Sequence, residues 1–187
     1  LDSNHITDIS ALSNLSNLIT LELQFNQIEI LPLEINSPNL SEFDASNNAI
    51  SDLSGLAGLH SLSKLRLDSN NITDISALSN LSNLVTLGLD HNQIEVLPLD
   101  MNTPTLRELY AKDNNISDIS GLAEIPSLEL ISLNYNNISD ITAIFDIQEN
   151  INALFIYNNS EIPCWQINYA RKRFFSTDLP YYCNLDF

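Results

Sequence analysis

Apolar residues recur along this chain in one phrase, Leu-x-x-Leu-x-Leu-x-x-Asn-x-Ile, which returns every 22 residues. Its asparagine falls at Asn4, Asn26, Asn48, Asn70, Asn92, Asn114 and Asn136, and after a single 23-residue step at Asn159. The Leu-x-Leu centre alternates with period two, which predicts a short strand with Leu21 and Leu23 inward and Thr20, Glu22 and Gln24 outward. Leu65 and Leu67, Leu87 and Leu89, and Ile131 and Leu133 repeat the pattern. A unit this short cannot bury its apolar face alone, so the units must stack into a continuous core. Stacked strands make a parallel sheet, and eight coils at about 4.8 Å each give a body roughly 35–40 Å long. After each strand the chain must turn, and the asparagine amide can satisfy backbone groups there.

Two kinds of segment follow the turn. Asp8, Asp52, Asp74, Asp118 and Asp140 open five segments of the type Asp-Ile-Ser-Ala-Leu, in which Asp or Ser can cap a short helical turn. In the other two, Pro32 and Pro98 favour extended backbone, and Ile30 and Val96 take the Asp position. The two kinds obey a longer period: residues 1–66 match residues 67–132 at 42 of 66 positions, the mark of a duplicated three-repeat block. A period of this length with this phrase is the signature of a leucine-rich repeat. The expected fold is an α/β solenoid: a leucine-rich repeat arc with a parallel concave sheet and a convex side of short helical turns or extended segments. Residues 1–160 would hold about eight coils, the first partial, and residues 161–187 a C-terminal helical cap. In the cap, Cys164, Ile167, Ala170 and Phe174 fall at helical spacing. Leu1 lies inside a repeat, which reads as a fragment lacking its natural start. The first coil is therefore expected to be a weak edge.

Net charge is −17, from 24 acidic and 7 basic residues. Such a surface repels phosphate backbones and anionic lipid, so nucleic acid is not an expected partner. No apolar run reaches the roughly 18 residues of a membrane span, so membrane insertion is not expected either. Both cysteines, Cys164 and Cys183, follow the last repeat. A disulfide pinning the cap is the preferred reading, and a pair of buried reduced thiols the alternative. No His lies near them to complete a zinc site. The chain has no phosphate loop, no His-Glu-x-x-His and no Gly-x-Ser-x-Gly, so no catalytic residue, metal or cofactor is assigned. Asp44, Asp68 and Asp90 fall beside Lys64 and Arg66, which reads as local charge pairing rather than a cation site.

Outward sheet positions have no core duty, and large apolar groups there call for a partner. Tyr110, Leu130, Tyr135, Phe155 and Tyr157 gather on the last three repeats, with Lys112 and Arg107 at the rim. These seven residues form the candidate ligand-binding surface on the concave face.

The phrase from Leu62 to Leu78 resembles the repeats of internalins and related bacterial surface proteins. It is also similar to the nuclear subunits that regulate protein phosphatase 1. The first resemblance implies a non-catalytic recognition module, secreted or on the bacterial surface, that binds a protein ligand on its concave face. The second implies a cytoplasmic regulatory scaffold. A third reading is the recognition domain of a larger effector enzyme. The seven Asn-x-Ser/Thr sequons, at Asn14, Asn39, Asn71, Asn80, Asn115, Asn137 and Asn158, would invite heavy glycosylation in a eukaryotic secretory pathway and so favour a bacterial source.

Overall fold

In the computed structural model the chain forms one eight-stranded parallel sheet, with strands in sequence order. The described residues are 1–98, 102–147, 149–159, 162–174, 176–178 and 183. The strands are β1 (Thr20–Glu22), β2 (Glu42–Asp44), β3 (Lys64–Arg66), β4 (Thr86–Gly88), β5 (Glu108–Tyr110), β6 (Leu130–Ser132), β7 (Ala153–Phe155) and β8 (Ser176–Asp178). Register follows the sequence period: Leu21 pairs with Phe43, then Leu65, Leu87, Leu109, Ile131 and Leu154. That row is buried throughout. The second core row is Leu23, Ala45, Leu67, Leu89, Ala111, Leu133 and Ile156, also buried. Phe43 enlarges the first row, and Ala45 and Ala111 are the small members of the second. In the first coil Ile6, Leu12 and Leu18 pack against the core but are only partly buried.

The asparagine ladder links coil to coil. The Asn70 amide nitrogen donates to the Leu67 carbonyl of its own turn and the Ala45 carbonyl of the preceding coil, both at 3.0 Å. Its oxygen accepts from the Ile50 N–H at 2.9 Å. Asn92, Asn114 and Asn136 repeat this set on their own neighbours. The residue before each asparagine takes a left-handed conformation, with φ between 54° and 58°, in all eight coils. None of the eight is glycine.

On the convex side, Ser10–Leu12, Ser54–Leu56, Ser76–Leu78 and Ser120–Glu124 form short 3-10 turns, and Thr142–Asp146 a brief α-helix, α1. Each is opened by its column aspartate, whose carboxylate accepts the N–H two residues on at 2.8 Å. This bond holds the Asp8, Asp52 and Asp140 carboxyls below the usual carboxylate range, and the Ser120 hydroxyl followed by its N–H does the same for Asp118. The proline segments are extended, and Val96 makes a parallel bridge to Asp118. Their close passage explains two glycines. A Cβ on Gly55 would collide with the Pro32 carbonyl, and one on Gly121 with the Pro98 carbonyl.

The segment expected to cap the core contains α2 (Cys164–Arg173) and β8. Ile167, Ala170 and Phe174 turn inward as the spacing predicts, but Cys164 is exposed and Gln166 is buried in its stead. The reason is chemical. The last coil has no following repeat, and the Gln166 side chain takes over part of that role: it accepts from the Ile141 N–H at 2.8 Å and donates to Asp140 at 2.9 Å. Cys164 and Cys183 form a disulfide with Cα atoms 5.3 Å apart. The remainder of the expected cap, including residues 179–182 and 184–187, lies outside the described residues.

Candidate concave interface

The sheet brings most of the candidate residues together. Tyr110 ends β5 and pairs with Gly88 on one side and Ser132 on the other. Leu130 opens β6 and Phe155 ends β7. Lys112 and Tyr157 lie two residues beyond their strands and are half-buried. The Tyr135 and Tyr157 rings meet edge to face with centroids 5.9 Å apart, and the Lys112 ammonium sits 5.5 Å from the Tyr135 centroid. Contacts of these two kinds are worth about 0.5–1.5 kcal/mol each. Burial first, then the Glu108 carboxylate, push the Tyr110 phenol above its ordinary range, so it stays neutral. Arg107 is tied at 2.7 Å to Glu129 on the neighbouring coil, away from the aromatic group.

Position along the turn separates Tyr135 from the others. Sequence spacing puts it on a flat strand, whereas the chain holds it at φ 58° in the left-handed turn. That conformation costs an aromatic residue about 1–2 kcal/mol, while asparagine and aspartate, found there at Asn47, Asp113 and Asn158, accept it more readily. Tyr135 nevertheless stands 44% exposed. Phe25 occupies the same column in an early coil at φ 54° and is 59% exposed. The sequence did carry a signal for Phe25, an aromatic in a column otherwise mostly polar, but the clustering argument passed over it.

Neither Asp68 nor Asp90 makes a contact ion pair with Lys64 or Arg66, although the Arg66 charge acts favourably on Asp68. Asp68 accepts the Asp90 N–H at 2.9 Å, and Asp90 accepts the Lys112 N–H at 2.7 Å. Asn134 does the same for the Tyr157 N–H at 2.6 Å. These side chains satisfy backbone donors beyond the strand ends, which explains why a carboxylate or amide recurs in this column. Desolvation is the largest influence on both aspartates and raises their pKa values. A carboxyl with a raised folded pKa works against the fold once ionised, so its penalty grows as pH rises through that value. Asp68→Asn keeps the acceptor and removes the charge. It is expected to raise the thermal midpoint at neutral pH, with the gain vanishing below the ordinary carboxylate range. Paired melts across pH check this, and an equal gain at both ends would refute the desolvation argument.

His91 and Asp113 form an exposed pair at 2.8 Å in the turn column. A solvated pair contributes little to stability. Among the described residues no group of three or more His, Cys, Asp or Glu side chains is placed to hold a metal ion. Nor is any described helix long and apolar enough to cross a membrane.

The family described as Leucine Rich repeats (2 copies) matches residues 38–80 and 104–146. Among solved structures, internalin C2 of Listeria monocytogenes is 34% identical, with a TM-score of 0.60 over 86% of this chain and 77% of that one. The chain belongs to the internalin-like family of leucine-rich repeat proteins. Internalin InlF of the same bacterium is 32% identical, with a TM-score of 0.83 over 92% of this chain. A leucine-rich repeat protein of Leptospira interrogans is 27% identical, with a TM-score of 0.77 over 84% of this chain. This internalin-like chain spans 51% of the InlF structure's length and 41% of the Leptospira structure's. No curated protein matches it. The fold is that of a protein-recognition module.

Proposed function

We propose that this internalin-like domain binds a protein ligand on its concave face, with Tyr110 and Tyr135 at the centre and Leu130, Phe155, Tyr157 and Lys112 around them. On this reading residues 1–160 carry the recognition surface, residues 161–187 close the core, and the domain is non-catalytic. A secreted or cell-surface setting accords with the disulfide and with the bacterial relatives.

The observation that carries the reading is the uneven divergence of the two duplicated blocks. Convex segments 27–29, 31–33, 50–52 and 54–57 are identical to their copies 66 residues later. Ten concave pairs follow β1 in the same comparison, and eight of them differ. Glu22 becomes Gly88, Gln24 Asp90, Phe25 His91, Asp44 Tyr110, Ser46 Lys112, Asn47 Asp113, Lys64 Leu130 and Arg66 Ser132. Thr20 and Glu42 persist, as Thr86 and Glu108, and so do Asp2 and Ser3 ahead of β1, as Asp68 and Ser69. The blocks differ at 24 of 66 positions in all, so 16 changes lie elsewhere, but they are spread over many more positions and change is densest on the concave face, although the backbone needs of the two blocks are the same. A surface selected for what it touches accounts for that density.

Alanine at Tyr110 or Tyr135 is expected to weaken ligand binding by about 1–3 kcal/mol. Folding stability should change little at Tyr135, because the exposed ring makes only surface contacts with Tyr157 and Lys112 and alanine keeps the same backbone requirement. A pull-down with the intact domain identifies the ligand, and titration of both variants tests the site. Unchanged affinity together with a large loss of stability would show that the rings serve the fold.

A further inference from the structure

The outer face of α2 carries a second, chemically different surface. At 100° per residue, Trp165, Tyr169 and Lys172 fall in one band with Arg173 at its edge, the buried Ile167 and Ala170 lie on the far side, and the buried Gln166 lies between. Trp165 is 61% exposed and Tyr169 40%. Phe145 of α1 backs them, its ring 4.4 Å from Tyr169 and 6.3 Å from Trp165. Lys172 and Arg173 are exposed. The run Arg171–Arg173 holds three of the seven basic residues in a chain of net charge −17.

We infer that this face docks an acidic protein segment that also carries an apolar side chain. Charge complementarity selects the occupant. An acidic segment is repelled by the coils, where 21 acidic residues outnumber four basic ones in residues 1–160, and attracted where Lys172 and Arg173 stand together. Screening over about 8 Å at physiological salt confines that attraction to the capped end of a body several times longer. Exposed Trp and Tyr on a backed, semi-rigid platform are suited to an apolar anchor. The site is independent of the concave face, which lies on the sheet rather than on the cap helix.

The chain contains a single tryptophan, so its fluorescence reports this face alone. The probe is a synthetic peptide of glutamates interrupted by leucines, titrated into the intact chain. A saturable blue shift that weakens with salt is expected. The double variant Lys172→Glu, Arg173→Glu should bind roughly tenfold or more weakly, with its far-ultraviolet dichroism unchanged. Tyr110→Ala should bind the peptide as the parent does. Replacing leucine by serine in the peptide should abolish the blue shift. Absence of a shift overturns the proposal. So does a shift produced only by anionic lipid vesicles or heparin, or one that depends on protein concentration alone, which would identify a second copy as the occupant.

Discussion

Asn70→Ala should cost about 2–4 kcal/mol, a large loss for a single polar substitution. The side chain is nearly inaccessible, and it satisfies the Ile50 N–H and the carbonyls of Ala45 and Leu67. Alanine leaves the Ile50 N–H in the interior without an acceptor, and a buried unsatisfied group costs about 1–3 kcal/mol. The two carbonyls each lose one donor and keep another, Asn48 on Ala45 and Asn92 on Leu67, both at 3.0 Å. The same substitution at Asn4 should cost about 0.5 kcal/mol or less, as for an ordinary surface change. Asn4 is exposed, and its amide donates only to the carbonyls of Leu1 and Asp2. Urea denaturation of the two variants measures the contrast. The central lesion should also lower the slope of the transition, because stability in a stacked array depends on coupling between neighbouring units. A loss below about 1 kcal/mol at Asn70 would mean that the Ile50 N–H finds another acceptor, and that the ladder reflects packing more than hydrogen bonding.

The contrast between those two asparagines also marks how far a linear reading goes. The period, the inward residues and the register follow directly from spacing, since a 22-residue step leaves only one way to superpose Leu21 on Phe43 and Leu65. The convex turns were legible for the same reason, each starting at a column aspartate. Other features depend on what lies next door in space. Gln166 was hidden because its role is set by the missing ninth coil, to which the last repeat's Ile141 N–H would otherwise turn. Tyr135 was placed in the right neighbourhood but on the wrong kind of backbone, because a left-handed residue without glycine gives no sign in sequence. Asp68 and Asp90 looked like partners for cations since charge is visible in a sequence and free backbone N–H groups are not. Of the candidate surface, the aromatic group was legible from clustering. Arg107 was not separable from it, because its attachment to Glu129 runs across coils.

Removing the disulfide should loosen the cap and leave the far coils as they are. Cys164 heads α2 at the surface, Cys183 is buried, and they are 19 residues apart in sequence. Closing a loop of that size restricts the unfolded chain by about 3 kcal/mol. Among the described residues the cap is also held by the Gln166 bonds to the last coil, the Arg171 bond to the Cys183 carbonyl at 2.6 Å, the pairing of β8 with β7, the Phe145 ring against Tyr169 and Trp165, and burial of Ile167, Ala170 and Phe174. In Cys164→Ser, Cys183→Ser the stability of this end should therefore fall by about 3 kcal/mol. Each coil touches only its neighbours, so the loss should decay with distance along the stack. Native-state hydrogen exchange reads this directly. Amides of α2, β7 and the coil around Ile156 should exchange faster by about two orders of magnitude, as about 3 kcal/mol requires, while those of β1 to β3 keep their rates. Acceleration spread evenly over all coils would mean that the solenoid unfolds as a single cooperative unit. No acceleration at α2 would show that its buried face and Gln166 hold it unaided.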